Sequence, residues 1–393
     1  MTTPSPAPRA QASPVVVAAL RTPIGTAGHG LAELGAADLA APVLATLAAD
    51  PVVAEASSDA GEAPVEVLLG NCLGPGGNPA RVATLAAGLP VTSPAVTVDR
   101  QCASGLAAIA LGCSVLREHP GVVLAGGTES ASTAPWRFWP PVDGQDPVRY
   151  ERAPFAPAEL GDPDMGLAAD LLAESHGIGR AAQDAYAARS HQRAHAAVTA
   201  GLLDAETVPV GALKRDERPR PGLTAERLGR LRPAFRAGGT VTAGNSCGVS
   251  DGAAAVALVD AATHRQLGVP GLRVLASASA GVDPVRPGLG LVPAVRTALA
   301  RAGLTLDDVD VVELNEAFAG QVLACCAELD LDPSRVCAEG GALALGHPWG
   351  ASGAVSVVRL FSQLVRNGSG RYGLAAIAAG GGQGVAMVVE RCP

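Results

Sequence analysis

The chain has 393 residues, 48% of them apolar and only 3% aromatic, with 48 glycines. A chain of this length buries a large core and exceeds the usual size of one domain, and its packing must come from small and aliphatic side chains set close together. The formal net charge of −8, with Lys214 as the one lysine, excludes nucleic acid as the main partner.

Residues 1–13, M-T-T-P-S-P-A-P-R-A-Q-A-S, form a polar, Pro-rich tail expected to be disordered. Val15 to Leu20 then reads as a buried strand, too short for a signal-peptide core or a membrane span. A helix fits Ala36 to Leu47, and a second strand fits Val65 to Leu69. Another Ala-rich helix opens at Gly77-Asn78-Pro79. Ala95 to Val98 leads through the polar turn Asp99-Arg100-Gln101 into Cys102 and a small-residue helix through Leu106 and Ile109. A strand at Val122 to Leu124 ends in Gly126-Gly127-Thr128-Glu129-Ser130. Strands and helices alternating on this scale imply an α/β layered fold.

Between about 131 and 240 the texture changes. Residues 135–163 are rich in proline and carry Trp136 and Trp139, and helices fit Met165–His176 and Ala181–Ala200. Residues 214–236 hold eight Lys or Arg against three acidic residues. That stretch reads either as a solvated loop or as a cradle for a phosphorylated ligand. After Thr242-Ala243-Gly244-Asn245 the earlier pattern returns. P-V-E-V-L-L-G-N at 64–71 matches V-D-V-V-E-L-N-E at 309–316, and the Cys102 segment is echoed by 340–360. The strand ending in Gly126-Gly127 is echoed by 374–382. The expected organisation is two similar halves, 14–268 and 269–393, with an insertion at 131–240 in the first.

A cysteine at a strand-to-helix turn meets free backbone N–H groups and the positive end of the helix dipole, which is expected to lower its pKa. The eight cysteines (72, 102, 113, 247, 325, 326, 337 and 392) form no C-x-x-C pair and no Cys/His ligand spacing. No metal site and no disulfide framework is expected, and a reducing cytoplasm is the natural compartment. If the halves are related by a pseudo-two-fold, Cys102 and His347 converge on one crevice. A thiol, an imidazole and the amide of Asn315 would there form an acyl-transfer apparatus. Taken singly, each also reads as structural: a buried cysteine, a satisfied histidine, a turn asparagine.

The segments VDRQCASGLAAI, GGTESAS, MGLAADLLAESHGIGRAAQDAYAARSHQRA, TVTAGNSCGVSDGAA, LNEAFA, GGALALGHPWGASGA and GGGQGVAM resemble the thiolase family, in that family's order and over nearly the whole chain. The resemblance implies two pseudo-symmetric layered halves with mixed central sheets, and an acyltransferase working on coenzyme A thioesters with no permanently bound cofactor. It makes Cys102 the acyl-accepting nucleophile, His347 its activator and Asn315 the holder of an oxyanion-binding water, with Gly380 in the same catalytic set. It makes 131–240 a coenzyme A-binding loop domain, with Met165, Phe235, Ala243 and Phe318 lining the pantetheine tunnel and Cys247 among the coenzyme A-binding positions. It further implies a homodimer or homotetramer, with no membrane partner.

Three positions depart from the family pattern. The second catalytic cysteine expected near the C-terminus is replaced by Ala378, in A-A-G-G-G. Cys247 stands where a coenzyme A-contacting serine is expected, and reads either as a serine-sized replacement or as a relocated acid/base. Asp164 precedes Met165 where acetoacetyl-specific members carry histidine. The favoured reading is an acyl-Cys102 acyltransferase diverged from reversible thiolysis because of Ala378. The alternatives are an ordinary acetyl-CoA C-acetyltransferase or 3-ketoacyl-CoA thiolase, a decarboxylative or N/O-acyl transfer, and a non-catalytic acyl-CoA-binding subunit.

Overall fold

The computed structural model describes residues 13–59 and 66–393. The tail 1–13, apart from Ser13, and the first residue of the strand expected from Val65 lie outside the described residues. Before the insertion the chain forms β1 (Val15–Arg21), β2 (Gly25–Thr26), α1 (Ala36–Ala48), α2 (Pro51–Asp59), β3 (Glu66–Gly70) and α3 (Pro79–Ala86). It continues through β4 (Ala95–Val98), α4 (Ser104–Glu118) and β5 (Val122–Glu129). The insertion holds the hairpin β6 (Arg137–Trp139) and β7 (Val148–Tyr150), then α5 (Met165–Ser175), α6 (Arg180–Thr199) and α7 (Ala225–Leu228). Next come β8 (Ser250–Val259), α8 (Ala261–Leu267), β9 (Gly271–Gly281), α9 (Leu291–Ala302), β10 (Val311–Leu314) and α10 (Ala319–Leu329). The chain closes with α11 (Ala342–Leu345), α12 (Trp349–Phe361), β11 (Tyr372–Ala379) and β12 (Gln383–Cys392).

Local chemistry accounts for the boundaries. α3 starts where Asn78, in the left-handed region at φ 56°, accepts a hydrogen bond from Arg81 N and Pro79 occupies the first turn. β5 is buried along all of V-V-L-A-G-G-T-E, so helices cover both its faces and it runs five residues beyond the short apolar core that marks it in sequence.

The two halves repeat one topology. The first half orders its strands β4-β3-β5-β8-β1 and the second β10-β11-β12-β9, with the parallel bridge Val312–Val336 standing in for the missing edge strand. In each half a parallel pair (β3–β5, β10–β11) is followed by two antiparallel ones. The halves join through β1 and β9, where Val15 pairs with Arg273 and Val16 with Leu272, giving one ten-stranded sheet. This sheet wraps around α4 and α12, whose Leu106, Ile109, Val357 and Leu360 share a buried cluster with Val256, Ile377 and Met387 from the strands. α1 and α3 cover the outer face of the first half, and α9 and α10 that of the second. The result is layered α/β architecture with two helices at its centre.

The insertion is tied to this frame by a fully buried ion cluster. Arg21 donates to Glu206 at 2.7 Å and to both Asp216 oxygens at 2.7 and 2.9 Å, and Glu206 also accepts from Arg359 and Ser362. Burial alone would raise the Glu206 pKa. The Arg359 and Arg21 guanidiniums outweigh it and hold the carboxyl below its ordinary value. Removing one member would leave a buried charge uncompensated, at a cost of about 3–5 kcal/mol. The hairpin β6–β7 instead stands out from the frame, with Trp136, Phe138 and Trp139 exposed. Among the described residues no single helix is long and apolar enough to cross a membrane.

Candidate active site

Cys102 sits in the turn between β4 and α4. Ser104 Oγ accepts from Arg100 N at 2.7 Å and donates to Gln101 O at 2.5 Å, while Gln101 takes a left-handed φ of 49°. The turn is therefore held by its own side chains. Its thiol differs from expectation: burial, with the nearby Cys247 sulfur adding to it, pushes Cys102 up to about 12. Cys102 precedes the helix cap Ala103, and a dipole contribution of about 0.3–2 kcal/mol does not offset the loss of solvent around a thiolate. The resting side chain is a neutral thiol.

His347 lies between α11 and α12. Its N–H faces Gly248 O at 3.3 Å and Ser250 Oγ at 3.1 Å, which fixes the backbone beside β8. Nδ1 shares a 2.6 Å hydrogen bond with Ser352 Oγ, one turn into α12. Nε2 is buried and has no hydrogen-bond partner among the described residues. Burial lowers the ring's pKa to about 4, so it is a neutral imidazole near pH 7. With the ring proton on Nδ1, donated to Ser352, Nε2 keeps a free lone pair.

The turns carrying these two residues meet. Cys102 precedes Gly105 by three residues and His347 precedes Gly350 by three. A Cβ on Gly105 would lie 2.7 Å from Gly350 O, and one on Gly127 would lie 2.0 Å from that same oxygen. Only glycine permits this approach. The buried Glu129 braces it, accepting from Gly350 N at 3.0 Å, Cys72 N and Leu73 N at 3.1 Å, and Asn71 Nδ2 at 3.0 Å. Burial raises its pKa against the pull of those N–H groups.

Asn315 follows β10 and donates its N–H to Ala376 O on β11 at 2.9 Å. With Ser352, Glu313, Ser356 and Arg359 it lines a cavity of about 20 Å³, enough for one water molecule. Glu316 behind it accepts from Tyr186 OH at 2.9 Å, Ser190 Oγ at 2.6 Å and Leu343 N at 3.2 Å, linking this loop to α6 and α11. Cys247 N donates to Ala317 O at 2.9 Å, and Ser246 bridges to Phe318. The strip 246–250 thus lies between the Asn315 loop and His347.

The expected tunnel residues gather on this side. The Phe235 and Phe318 rings pack edge to face at 6.0 Å, and the Phe235 ring lies on Gly166, next to Met165 at the start of α5. Ala243 is exposed in the turn 242–245. Arg218 lies over Gly248 and beside Cys247, placing a cation from the basic stretch at the rim. Cys247, like Cys102, is pushed up to about 12, chiefly by burial. Ala378 is half-buried near the end of β11, two residues beyond the Ala376 carbonyl that holds Asn315, and the Gly380–Gly381 turn follows, covered by Phe155.

Composition and spacing alone do not single out Ser352, Glu129, Glu316, Arg218 or Phe155. The first three stand inside segments already marked by motif: Ser352 five residues after His347, Glu129 two residues after the buried Gly126-Gly127, Glu316 beside Asn315. Arg218 stands in the basic stretch 214–236 that composition already marks, and Phe155 carries no such local signal.

Residues 14–262 match the thiolase N-terminal domain and residues 268–391 the thiolase C-terminal domain. An acetyl-CoA acetyltransferase of Pseudomonas aeruginosa is 43% identical, over 96% of this chain and 99% of its own length. A beta-ketoadipyl-CoA thiolase of the same organism is 42% identical, over 95% of this chain and 98% of its own length. The crystal structure of the Bacillus anthracis acetyl-CoA acetyltransferase superposes with a TM-score of 0.88 at 36% identity, covering 97% of this chain and 99% of that one.

Proposed function

Since the chain belongs to the thiolase family and is an acyltransferase, we propose that it moves an acyl group from a coenzyme A thioester through a thioester on Cys102. The observation that carries this reading is the unpartnered Nε2 of a neutral His347, on a turn packed against the turn of a neutral Cys102. As the Cys102 sulfur attacks the thioester carbon, its proton passes to Nε2. The carbon–sulfur bond to coenzyme A then breaks, and the leaving thiolate takes that proton from the imidazolium. Such a base contributes about 10²–10⁴-fold. Asn315, through a held water, and the backbone beside Cys102 and Gly380 serve the oxyanions.

In this reading 14–268 and 269–393 are the working halves, and 131–240 binds coenzyme A along Met165, Phe235, Ala243, Cys247 and Phe318. Coenzyme A thioesters are the substrates, with no resident cofactor, and the protein works in the cytoplasm as a homodimer or homotetramer. For the acceptor, the names of the relatives fit reversible carbon–carbon chemistry. Ala378 favours a second reading, in which the acceptor needs no base at its α-carbon: a malonyl-type donor that loses CO₂, an amine or an alcohol.

Intact-protein mass spectrometry after mixing with acetyl-CoA tests the shared step. The acyl mass is expected on the native chain, absent in Cys102→Ala and formed about 10²–10⁴-fold more slowly in His347→Ala. Full labelling of Cys102→Ala would overturn the assignment.

A further inference from the structure

Ser352 is the inner partner of His347, and its own hydroxyl proton needs a place to go. His347 Nδ1 and Ser352 Oγ share a 2.6 Å hydrogen bond, and no other group among the described residues bonds to that oxygen. When the ring gives its Nδ1 proton to Oγ, the buried Ser352 O–H requires an acceptor elsewhere. The open space that Ser352 lines is the cavity of about 20 Å³ shared with Glu313, Asn315, Ser356 and Arg359.

Two other lining groups call for the same occupant. Arg359 engages Glu206 and Glu339 with its terminal nitrogens, while its Nε is buried and has no partner among the described residues. Glu313, on β10, accepts from Gln363 Nε2 with one carboxylate oxygen at 2.7 Å, which leaves the other for the cavity. A water molecule there accepts from Arg359 Nε and Ser352 Oγ and donates to Glu313, the three partners usual for a buried water. A chain of hydrogen bonds then runs from the imidazole, through Ser352 and the water, to a carboxylate.

We propose that Glu313 is a positioning residue for the base: through a water in this cavity and Ser352, it holds the His347 proton on Nδ1 and leaves Nε2 to take the proton of Cys102. The proposal rests on the acyl-Cys102 reading and adds to it the group that sets the tautomer of the base.

The direction of the chain follows the charge on Glu313. A carboxylate only accepts, so every donor faces it in turn and the ring proton stays on Nδ1. A carboxylic acid donates to the water, the water to Ser352 Oγ, and Ser352 to Nδ1, so the ring proton sits on Nε2 and the base is lost. One proton is taken up, by the carboxylate, and the imidazole is neutral in both states. Burial raises the Glu313 carboxyl to about 7, opposed by Arg359 of α12 and by Gln363, and reinforced by Glu316 beyond β10. The Cys337 thiol, before α11, completes the groups around it. The base is therefore set above about pH 7 and withdrawn below it.

The test follows the rate of Cys102 acylation by mass spectrometry, at saturating acetyl-CoA, from about pH 5.5 to about pH 8.5. In the native protein the rate should rise about tenfold through an ionisation near pH 7. Glu313→Gln, whose amide donates to the water as the acid does, should stay at the low rate across that range, with the half-saturating acetyl-CoA concentration unaltered. A native pH profile in this variant, or an effect confined to half-saturation, would overturn the proposal. A second readout requires neither a Glu313 variant nor turnover. In protein carrying ring-¹⁵N histidine, with the His347 signals identified by their loss in His347→Gln, the proton should be on Nδ1 at about pH 8.5 and on Nε2 at about pH 5.5. One tautomer at both pH values would equally overturn it. No acylation of the native chain would overturn the acyl-Cys102 reading, and the ring tautomer would still decide the part played by Glu313.

Discussion

Gly105 and Gly350 are in contact: the carbonyl oxygen of one stands 2.7 Å from where the other would carry a side chain. Each lies in the first turn of a central helix, three residues beyond the candidate nucleophile or the candidate base. The distance between Cys102 and His347 is thus governed by how closely two helix N-termini approach, and glycine sets that approach at backbone contact. A chain with so few aromatics can do this because its interior is built from such close passes.

Gly105→Ala should therefore be costly although the site is on a helix, where alanine is otherwise preferred. The added methyl meets the Gly350 carbonyl and, at 3.1 Å, Ala354 N, both backbone atoms that cannot rotate away. The expected loss is about 1–3 kcal/mol, read from the midpoint of urea unfolding. An unchanged midpoint would mean that the two helices separate freely.

Alkylation of Cys102 reports on its protonation. With the thiol pushed up to about 12, the thiolate fraction and the iodoacetamide rate should climb about tenfold per pH unit from pH 7 to 10, followed by peptide mass spectrometry. A rate already level between pH 6 and 8 would indicate a thiolate stabilised by its surroundings.

Ser352→Ala removes the hydroxyl bonded to His347 Nδ1 and leaves that nitrogen buried. If the cost of about 1–3 kcal/mol falls on the transition state, acylation slows roughly 5–150-fold, with little change in KM because Ser352 is buried and acts through the imidazole. Partial rescue by Ser352→Thr is expected. A pure KM effect would contradict the positioning role.

Ala378→Cys places a thiol where this chain has a methyl. If the native acceptor chemistry avoids proton removal from carbon, acetoacetyl-CoA thiolysis should be slow in the native protein and rise by about 10²–10⁴-fold in the variant. Native thiolysis at ordinary turnover would establish reversible carbon–carbon chemistry instead. If Cys247→Ser then abolished it, Cys247 would be the group that handles the proton.

Glu313 gives a stability signature. Burial, opposed by Arg359 and by the 2.7 Å bond from Gln363, raises its pKa to about 7. The folded state therefore favours the protonated form. The associated stability is fully present below about pH 4.5, the carboxyl's value in the unfolded chain, and is lost as pH rises toward 7. Glu313→Gln should remove that slope and stabilise the protein at pH 8 by up to about 3 kcal/mol, as measured by thermal unfolding at both pH values. A native Tm that rises from pH 5 to 7 and is unaltered in slope by the substitution would refute it.

Much of the scaffold is legible in the sequence because it depends on local pattern. The β1 run, the Asn78–Pro79 helix start and the Cys102 turn all announce themselves within a few residues. The duplication is legible because the same pattern recurs at 64–71 and 309–316. What escapes is set by pairings over long separations. Arg21 finding Glu206 and Asp216, or Phe155 finding Gly380, leaves no periodicity to read. The thiol of Cys102 is misjudged for a related reason: a helix terminus is visible in sequence, but the depth at which a side chain is buried depends on the rest of the fold.

Superimposing the two halves has a consequence for how such a protein can change. With Gly70 matched to Asn315, the strand registers match Thr128 of β5 to Ala378 of β11. Thr128 is buried and donates to the Ala36 carbonyl at 2.6 Å, so its side chain serves the architecture. Its counterpart is half-buried near the end of β11, just before the glycine turn. A duplicated chain has thereby divided one position between two obligations: the first copy is bound to its residue by the fold, and the second is released from that duty. Position 378 can consequently drift from one chemistry to another, cysteine or alanine, while the architecture that presents it is inherited intact.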